Sequence, residues 1–184
     1  MILEIVKFGH PALRTKGARI TEADAKIRKL AADMLETMVA AHGVGLAAQQ
    51  VGVPIQLAVI DVAGIEDRPS TMLVGGRPVA IEAHMPLVLL NPELTLSKDR
   101  ESGNEGCLSF PEMNAEIVRA AAVRAKAQLL DGSIIEFDAT GLLSRALQHE
   151  VDHLHGILFI DRMNSAAKAS LAGKLKRLQK ETRG

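Results

Sequence analysis

The chain has 184 residues, a length that favours one domain with a substantial hydrophobic core. Its 22 basic and 22 acidic residues cancel, which excludes a global electrostatic attraction to nucleic acid or to a membrane surface. One cysteine excludes an internal disulfide framework and favours a reducing compartment. Because the sequence also shows neither a signal-peptide pattern nor an apolar run long enough to span a bilayer, we expect a cytoplasmic, single-domain protein covering residues 1–184.

The first predicted element is an amphipathic helix from about Glu22 to His42. Thr21 is the expected N-cap, and Gly43 stands just past the end, where glycine is favoured. The apolar side chains that recur at helical spacing should pack against a sheet; they are Ile27, Leu30, Ala31, Met34, Leu35 and Met38.

The segment after this helix, Gly43 to Gly52, reads GVGLAAQQVG. It has neither the lysine nor the GxGxxG spacing of a phosphate-binding loop. Taken alone, its glycines favour a simple helix cap and turn.

Several short apolar runs follow and predict strands. Asp131-Gly132 is a favourable tight turn, so the run before it should form a hairpin with the run after it. The connection from Ile65 to Val79 contains turn residues and is either a lid or a surface excursion, of which the second is favoured. The predicted strands are Ile55 to Ile60, Leu87 to Leu90, Ile117 to Leu130 with a bend, and Ile134 to Phe137.

Cys107 lies in the sequence Glu105-Gly106-Cys107-Leu108-Ser109. A lone cysteine is usually a small buried hydrophobic residue. Here, Gly103 and Gly106 bracket a polar stretch that precedes an apolar one, which predicts a loop entering a strand. These glycines would let the backbone approach a ligand closely.

The chemically most informative stretch is His149-Glu150-Val151-Asp152-His153, on a helix that Thr140 should cap and Gly156 should end. The two histidines are one turn apart, so both rings can reach one divalent ion, whereas Glu150 lies beside that ion as a candidate general base. The same pattern also arises by chance on ordinary helices.

With Cys107, the two histidines would form a three-ligand set that leaves a fourth position for water, as in catalytic metal sites. Leu142 and Ala146 share the face of His149 and are either the wall of an apolar pocket or plain core. The other candidate ligands, His42, His84 and His155, have no matching partners and are expected to be structural or solvent-facing.

The last predicted element is a basic helix from about Ser165 to Arg183, a pattern that is usually a solvated face. Together the elements predict an α+β fold, with antiparallel β-sheets packed around a central metal-bearing helix, an N-terminal amphipathic helix and a C-terminal helix.

Three segments together resemble the peptide deformylases: GxGLAAxQ at 43–50, EGCLS at 105–109 and QHExDHLxG at 148–156. The similarity covers most of the chain, and three complete motifs in order are specific. There are departures. Many members have proline at Gln49, some have a substrate-contacting arginine at Asn114, and the connection over residues 63–86 is longer than usual.

The resemblance implies a metal-dependent hydrolase that removes the N-formyl group from the formylmethionine of nascent polypeptides. The family normally uses Fe²⁺, and the site could accept Zn²⁺, Ni²⁺ or Co²⁺. The Gln50 side chain and the Leu108 backbone N–H would stabilise the oxyanion. Substrate would pair with the extended segment Gly43-Val44-Gly45. Some bacterial members dock on the ribosome through a basic C-terminal helix, which residues 165–183 resemble.

Alternative functions remain. One is a deformylase-like paralogue that acts on another small acyl amide. An endopeptidase is disfavoured because its third ligand would be sought downstream of the helix. An inactive ribosome-associated binding module is disfavoured because Glu150 and Gln50 are intact.

Overall fold

The computed structural model describes residues 1–184 and contains three α-helices and two antiparallel sheets, which confirms the expected α+β fold. The seven-stranded sheet has the order β1-β2-β5-β8-β9-β3-β4, and β6 and β7 form a separate hairpin. The helices are α1 (Ala25–Ala40), α2 (Gly141–Leu154) and α3 (Ser165–Arg183). The strands are β1 (Gly45–Ala47), β2 (Leu57–Ile60), β3 (Ser70–Val74), β4 (Arg77–Pro78), β5 (Leu87–Leu96), β6 (Arg100–Cys107), β7 (Phe110–Ala120), β8 (Ala122–Gln128) and β9 (Ile134–Thr140).

Helix α1 begins later than the sequence pattern predicted. Its N-cap is Asp24, whose Oδ1 accepts a hydrogen bond from the Ile27 N–H at 2.9 Å, so the prediction of Thr21 as N-cap was wrong. Two capping residues three positions apart compete here, and the one that satisfies a first-turn N–H sets the boundary. The apolar face packs on the sheet as expected, with Met34 and Met38 fully buried.

The predicted hairpin over Asp131-Gly132 is present as β8 and β9. The apolar run from Ile117 to Leu130 does break, because β7 ends at Ala120 and β8 begins at Ala122. The predicted loop before Cys107 is instead strand β6, followed by a tight turn at Leu108-Ser109. Most β6 side chains face solvent, which gave this strand the composition of a loop.

Helix α2 lies against both sheets and contributes the largest number of buried residues. Leu143 and Leu147 are fully buried in the core formed with the seven-stranded sheet. Thr140 occupies the N-cap position, but its hydroxyl pairs with Thr71 and does not cap the helix. Gly156 has φ +74°, the left-handed conformation that ends a helix, as the sequence predicted.

Helix α3 begins after Asn164, whose side chain accepts a hydrogen bond from the Ala167 N–H at 2.8 Å. It packs through Leu171, Leu175 and Leu178 on a cluster that contains Phe110. The remaining surface of α3 is exposed. None of the three helices is both long and apolar enough to cross a membrane.

Candidate active site

The fold brings Cys107, His149 and His153 together at the junction of the hairpin and α2. Cys107 is the last residue of β6, and the two histidines lie one turn apart on α2. Their potential ligand atoms all lie within 4.8 Å of one another, and Cys107 Sγ is 3.4 Å from His153 Nε2. Both histidines are buried, so the three side chains form a preformed cluster.

This donor set fits a divalent transition metal. His149 Nδ1 is engaged by Glu105 Oε1 at 2.9 Å, which leaves His149 Nε2 free to ligate. His153 Nδ1 is buried without a hydrogen-bond partner, while His153 Nε2 faces the thiol. One sulfur and two imidazole nitrogens are ligands that iron, zinc, nickel and cobalt accept.

Glu105 is a buried carboxylate held between two guanidinium groups. Arg119 donates through Nε to Oε2 at 2.6 Å and through NH2 to Oε1 at 2.9 Å, and Arg145 donates to Oε2 at 2.7 Å. Burial opposes ionisation, but His149 and Arg119 outweigh it and hold the pKa of Glu105 well below its ordinary value. The ionised carboxylate therefore fixes which His149 nitrogen faces the cluster.

Sequence reasoning missed this network, although two signals were present. Glu105 belongs to the EGCLS segment, and Arg119 is a charged residue among the apolar residues at the start of the predicted strand from Ile117 to Leu130. Gly103 was expected to let the backbone approach a ligand closely. It instead lies against Arg145, since a Cβ at position 103 would be 2.9 Å from Arg145 Cζ. The glycine makes room for the guanidinium that holds Glu105, and not for a ligand.

Glu150 lies against β1, with its carboxylate buried. A Cβ at Gly45 would be only 2.5 Å from Glu150 Oε2, so any larger residue at that position would displace the Glu150 carboxylate. Glu150 Oε1 has no hydrogen-bond partner in the protein. Burial raises the pKa of Glu150 to about 7, although the neighbouring His149 lowers it. This carboxyl group can therefore take up and release a proton near neutrality.

Gln50 is buried and points its amide at the turn after Cys107. Its Oε1 accepts from the Ala47 N–H at 2.9 Å, and its Nε2 is 3.3 Å from Ser109 Oγ and 3.5 Å from Cys107 Sγ. The Leu108 N–H in the same turn has no acceptor within the protein. Gln50 Nε2 is thus a donor close to the thiol, and the N–H of Leu108, the residue after Cys107, is a second donor in the same turn.

A cavity of about 590 Å³ opens beside this cluster. Its walls contain every residue that the sequence singled out for catalysis or substrate contact: Gly43, Val44, Gly45, Gln50, Leu108, Leu142, Ala146 and Glu150. Cys107 and His149 also line it, whereas His153 lies behind them. Among the remaining histidines, His42 lines the cavity and is exposed, while His155 is exposed elsewhere.

Comparison with known proteins gives one consistent result. The family model for polypeptide deformylase matches residues 2–169. The peptide deformylase of Methylacidiphilum infernorum is 46% identical, over 98% of this chain and 94% of that protein. The peptide deformylase of Opitutus terrae is 43% identical, over 100% of this chain and 96% of its own length.

Solved structures agree with this result. The crystal structure of peptide deformylase from Thermotoga maritima superposes with a TM-score of 0.76 at 35% identity, covering 89% of this chain and 99% of that one. Peptide deformylase 1B from Arabidopsis thaliana, in complex with an inhibitor, gives a TM-score of 0.83 at 35% identity, covering 97% and 91%. The chain therefore belongs to the polypeptide deformylase family.

Proposed function

We propose that the chain carries out its family's reaction in the cavity beside α2, with Cys107, His149 and His153 as the ligands of one divalent ion. As a polypeptide deformylase, the protein is a metal-dependent hydrolase that removes the formyl group from the N-terminal methionine of nascent polypeptides. The observation that supports this site most strongly is the approach of the three ligand groups to within 4.8 Å, beside a buried carboxylate.

Fe²⁺ is our proposed native metal, and Zn²⁺, Ni²⁺ or Co²⁺ also suit the ligands. When bound, the ion supplies Lewis acidity, which polarises a carbonyl and can lower the pKa of water from 15.7 to about 7. The protein contributes the orientation of the ligands. Glu105 holds His149 through Nδ1, so the Nε2 lone pair is directed at the cluster.

Glu150 is proposed as the general base and then the general acid. Its carboxylate accepts a proton from the attacking water and later delivers it to the nitrogen of the leaving amine. The oxygen of that water forms a new bond to the formyl carbon, and the C–N bond breaks to give formate and a free N-terminus. A pKa of about 7 suits a group that must both accept and return a proton.

Gln50 Nε2 and the Leu108 N–H are proposed as donors to the formyl oxygen as negative charge grows on it. Both flank Cys107, and the Leu108 N–H has no competing acceptor within the protein. Donors that are fixed before the reaction stabilise the developing charge without reorganising. Gly43 leaves the space that the Leu108 side chain occupies, because a Cβ at position 43 would lie 2.8 Å from Leu108 Cδ1.

Substrate is proposed to bind as an extended strand along Gly43-Val44-Gly45. Strand β1 forms one edge of the seven-stranded sheet, so its outer backbone groups are available to a peptide. Leu142 and Ala146 would then contact the methionine side chain. Both line the cavity and also belong to the main core cluster, so they join the proposed pocket to the sheet behind it.

We also propose that residues 1–184 form a single catalytic domain and that the protein is cytoplasmic. A further part of the proposal is that α3 contacts the ribosome. The basic residues of α3 are all exposed and none forms an ion pair within the protein, so they can meet phosphate groups. We call this set the basic face of α3; it comprises Lys168, Lys174, Lys176, Arg177, Lys180 and Arg183.

The decisive experiment measures formate release from formyl-Met-Ala-Ser by protein reconstituted anaerobically with Fe²⁺. We expect turnover, and we expect Glu150→Ala to retain the metal while losing turnover. Release of other acyl groups in preference to formyl would favour the paralogue. Absence of turnover with the metal bound would favour the binding module and overturn the proposed reaction.

A further inference from the structure

A second groove lies next to the proposed substrate cavity. It has a volume of about 680 Å³ and lies between β6, the start of β3 and the first turn of α2. We call it the side groove; its lining includes Glu101, Ser102, Gly103, Thr140 and Gly141. Four residues line both spaces and therefore form the wall between them: Arg68, Asn104, Leu142 and Arg145.

Two parts of this wall are fixed by burial and hydrogen bonding. Leu142 is 8% exposed and belongs to the main core cluster. Arg145 is also 8% exposed, and its guanidinium donates to Glu105, to the Ile117 carbonyl and to the Glu101 carbonyl at 2.7 to 2.9 Å. Moving either residue would disrupt the core or the Glu105 network.

The remaining part of the wall is a single contact across the surface. Arg68, in the connection between β2 and β3, donates from NH2 to the Asn104 carbonyl at 3.0 Å. Both residues are exposed, and Arg68 has no carboxylate partner. Arg68 is thus the only wall residue whose position depends on one hydrogen bond to another element.

We propose that Arg68 closes the proposed methionine pocket on the side of Leu142 and limits the length of the first side chain of the substrate. This inference rests on the proposed function. Ala146 lines the substrate cavity together with Leu142, Arg145 and Arg68, and the last three also line the side groove. A long unbranched side chain bound beside Ala146 and Leu142 would therefore end at this wall. With Arg68 in place, a side chain longer than methionine meets the wall.

The long connection over residues 63–86 therefore has two different parts. Its β3–β4 hairpin extends the edge of the seven-stranded sheet, as a surface excursion would. Arg68, which precedes that hairpin, reaches the substrate cavity and forms part of its wall. Such a residue can set specificity, since each methylene that a pocket accepts or rejects changes kcat/KM by about 10-fold or more.

The test compares formyl-Met-Ala-Ser with the peptide whose methionine is replaced by 2-aminooctanoic acid, whose side chain is two heavy atoms longer. The quantity compared is kcat/KM for the longer peptide divided by kcat/KM for the methionine peptide. We expect this ratio to be about 10-fold higher in Arg68→Ala than in the wild type. The matched control is Arg77→Ala, an exposed arginine in the same connection that lines neither space. Its ratio should equal that of the wild type.

A second measurement separates this inference from the proposed reaction. Calorimetry with the deformylated products, Met-Ala-Ser and its 2-aminooctanoyl analogue, reports the pocket without any hydrolysis. We expect Arg68→Ala to improve the relative affinity for the longer product. The role of Arg68 would be overturned if Arg68→Ala changed neither the ratio of kcat/KM for the two substrate peptides nor the ratio of dissociation constants for the two products. Failure of the wild type to release formate would instead overturn the proposed reaction.

Discussion

Replacement of Glu105 by glutamine tests how much the buried ion-pair network contributes to stability and to metal binding. Glutamine has nearly the same shape, so packing is retained while the negative charge is removed. Glu105 accepts two hydrogen bonds from Arg119 and one from Arg145, and its Oε1 also lies against His149 Nδ1. These four distances are 2.6 to 2.9 Å. In Glu105→Gln, Arg145 loses its only carboxylate, whereas Arg119 keeps Asp152 at 2.9 Å.

The expected loss in the free energy of unfolding is large because both guanidinium groups stay buried. Arg119 is 5% exposed and Arg145 is 8% exposed. Removing one partner from a buried ion pair costs about 3 to 5 kcal/mol, because the partner charge remains away from water. A neutral amide also orients His149 less strongly than a carboxylate, so metal affinity should fall by about 10- to 100-fold.

Urea unfolding of the metal-free protein would measure the first effect, and competition with a chelator would measure the second. The control is Glu101→Gln on the same strand, because that side chain is exposed and forms no ion pair. It should change stability by less than about 0.5 kcal/mol. If Glu105→Gln lost less than about 1 kcal/mol and bound metal as tightly as the wild type, the network would have neither role.

Four more predictions concern the site and the basic face of α3. Cys107→Ser should weaken metal binding and alter the visible spectrum of the cobalt form, and an unchanged spectrum would remove Cys107 from the ligand set. Gln50→Ala should lower kcat by about 100- to 1000-fold with the metal retained, as measured by formate release; a smaller loss would exclude Gln50 as an oxyanion donor. In metal-free protein, the raised pKa of Glu150 means that the folded state holds a proton which the unfolded state releases, so stability falls as pH rises from 4.5 to about 7. Relative to Glu150→Gln, urea unfolding should show a loss of about 3 kcal/mol over that range, and parallel pH profiles would contradict it. Neutralising the basic face of α3 with glutamine should reduce co-sedimentation with ribosomes, and undiminished co-sedimentation would exclude that face.

Those features that depend on neighbours in sequence could be predicted without the structure. The α3 boundaries, the β8–β9 hairpin and the end of α2 at Gly156 follow from periodicity, turn residues and capping. The spacing of His149 and His153 is also local, since residues four apart on a helix share a face. Cys107 is proposed as the third ligand from its chemistry and its glycine-flanked segment, and the resemblance of three motifs agrees with this, although no periodicity links Cys107 to α2.

Other features depended on which strands and helices pack together. Strand β6 looked like a loop because most of its side chains face solvent, and only its pairing with β7 makes it a strand. The same pairing places Glu105 opposite α2, where it meets Arg145 from 40 residues away. Arg68 likewise meets Asn104 across 36 residues of sequence.

The sequence by itself determined the fold class, the helix that carries two metal-binding histidines, and the family to which the chain belongs, because these are encoded in short patterns. Only the tertiary structure decided that Glu150 occupies the space where a side chain at position 45 would lie, and that Arg145 does the same at position 103. It also decided that Glu105 is the group that orients His149. These are contacts between distant segments, and their distances are set by how the β6–β7 hairpin and β1 pack against α2.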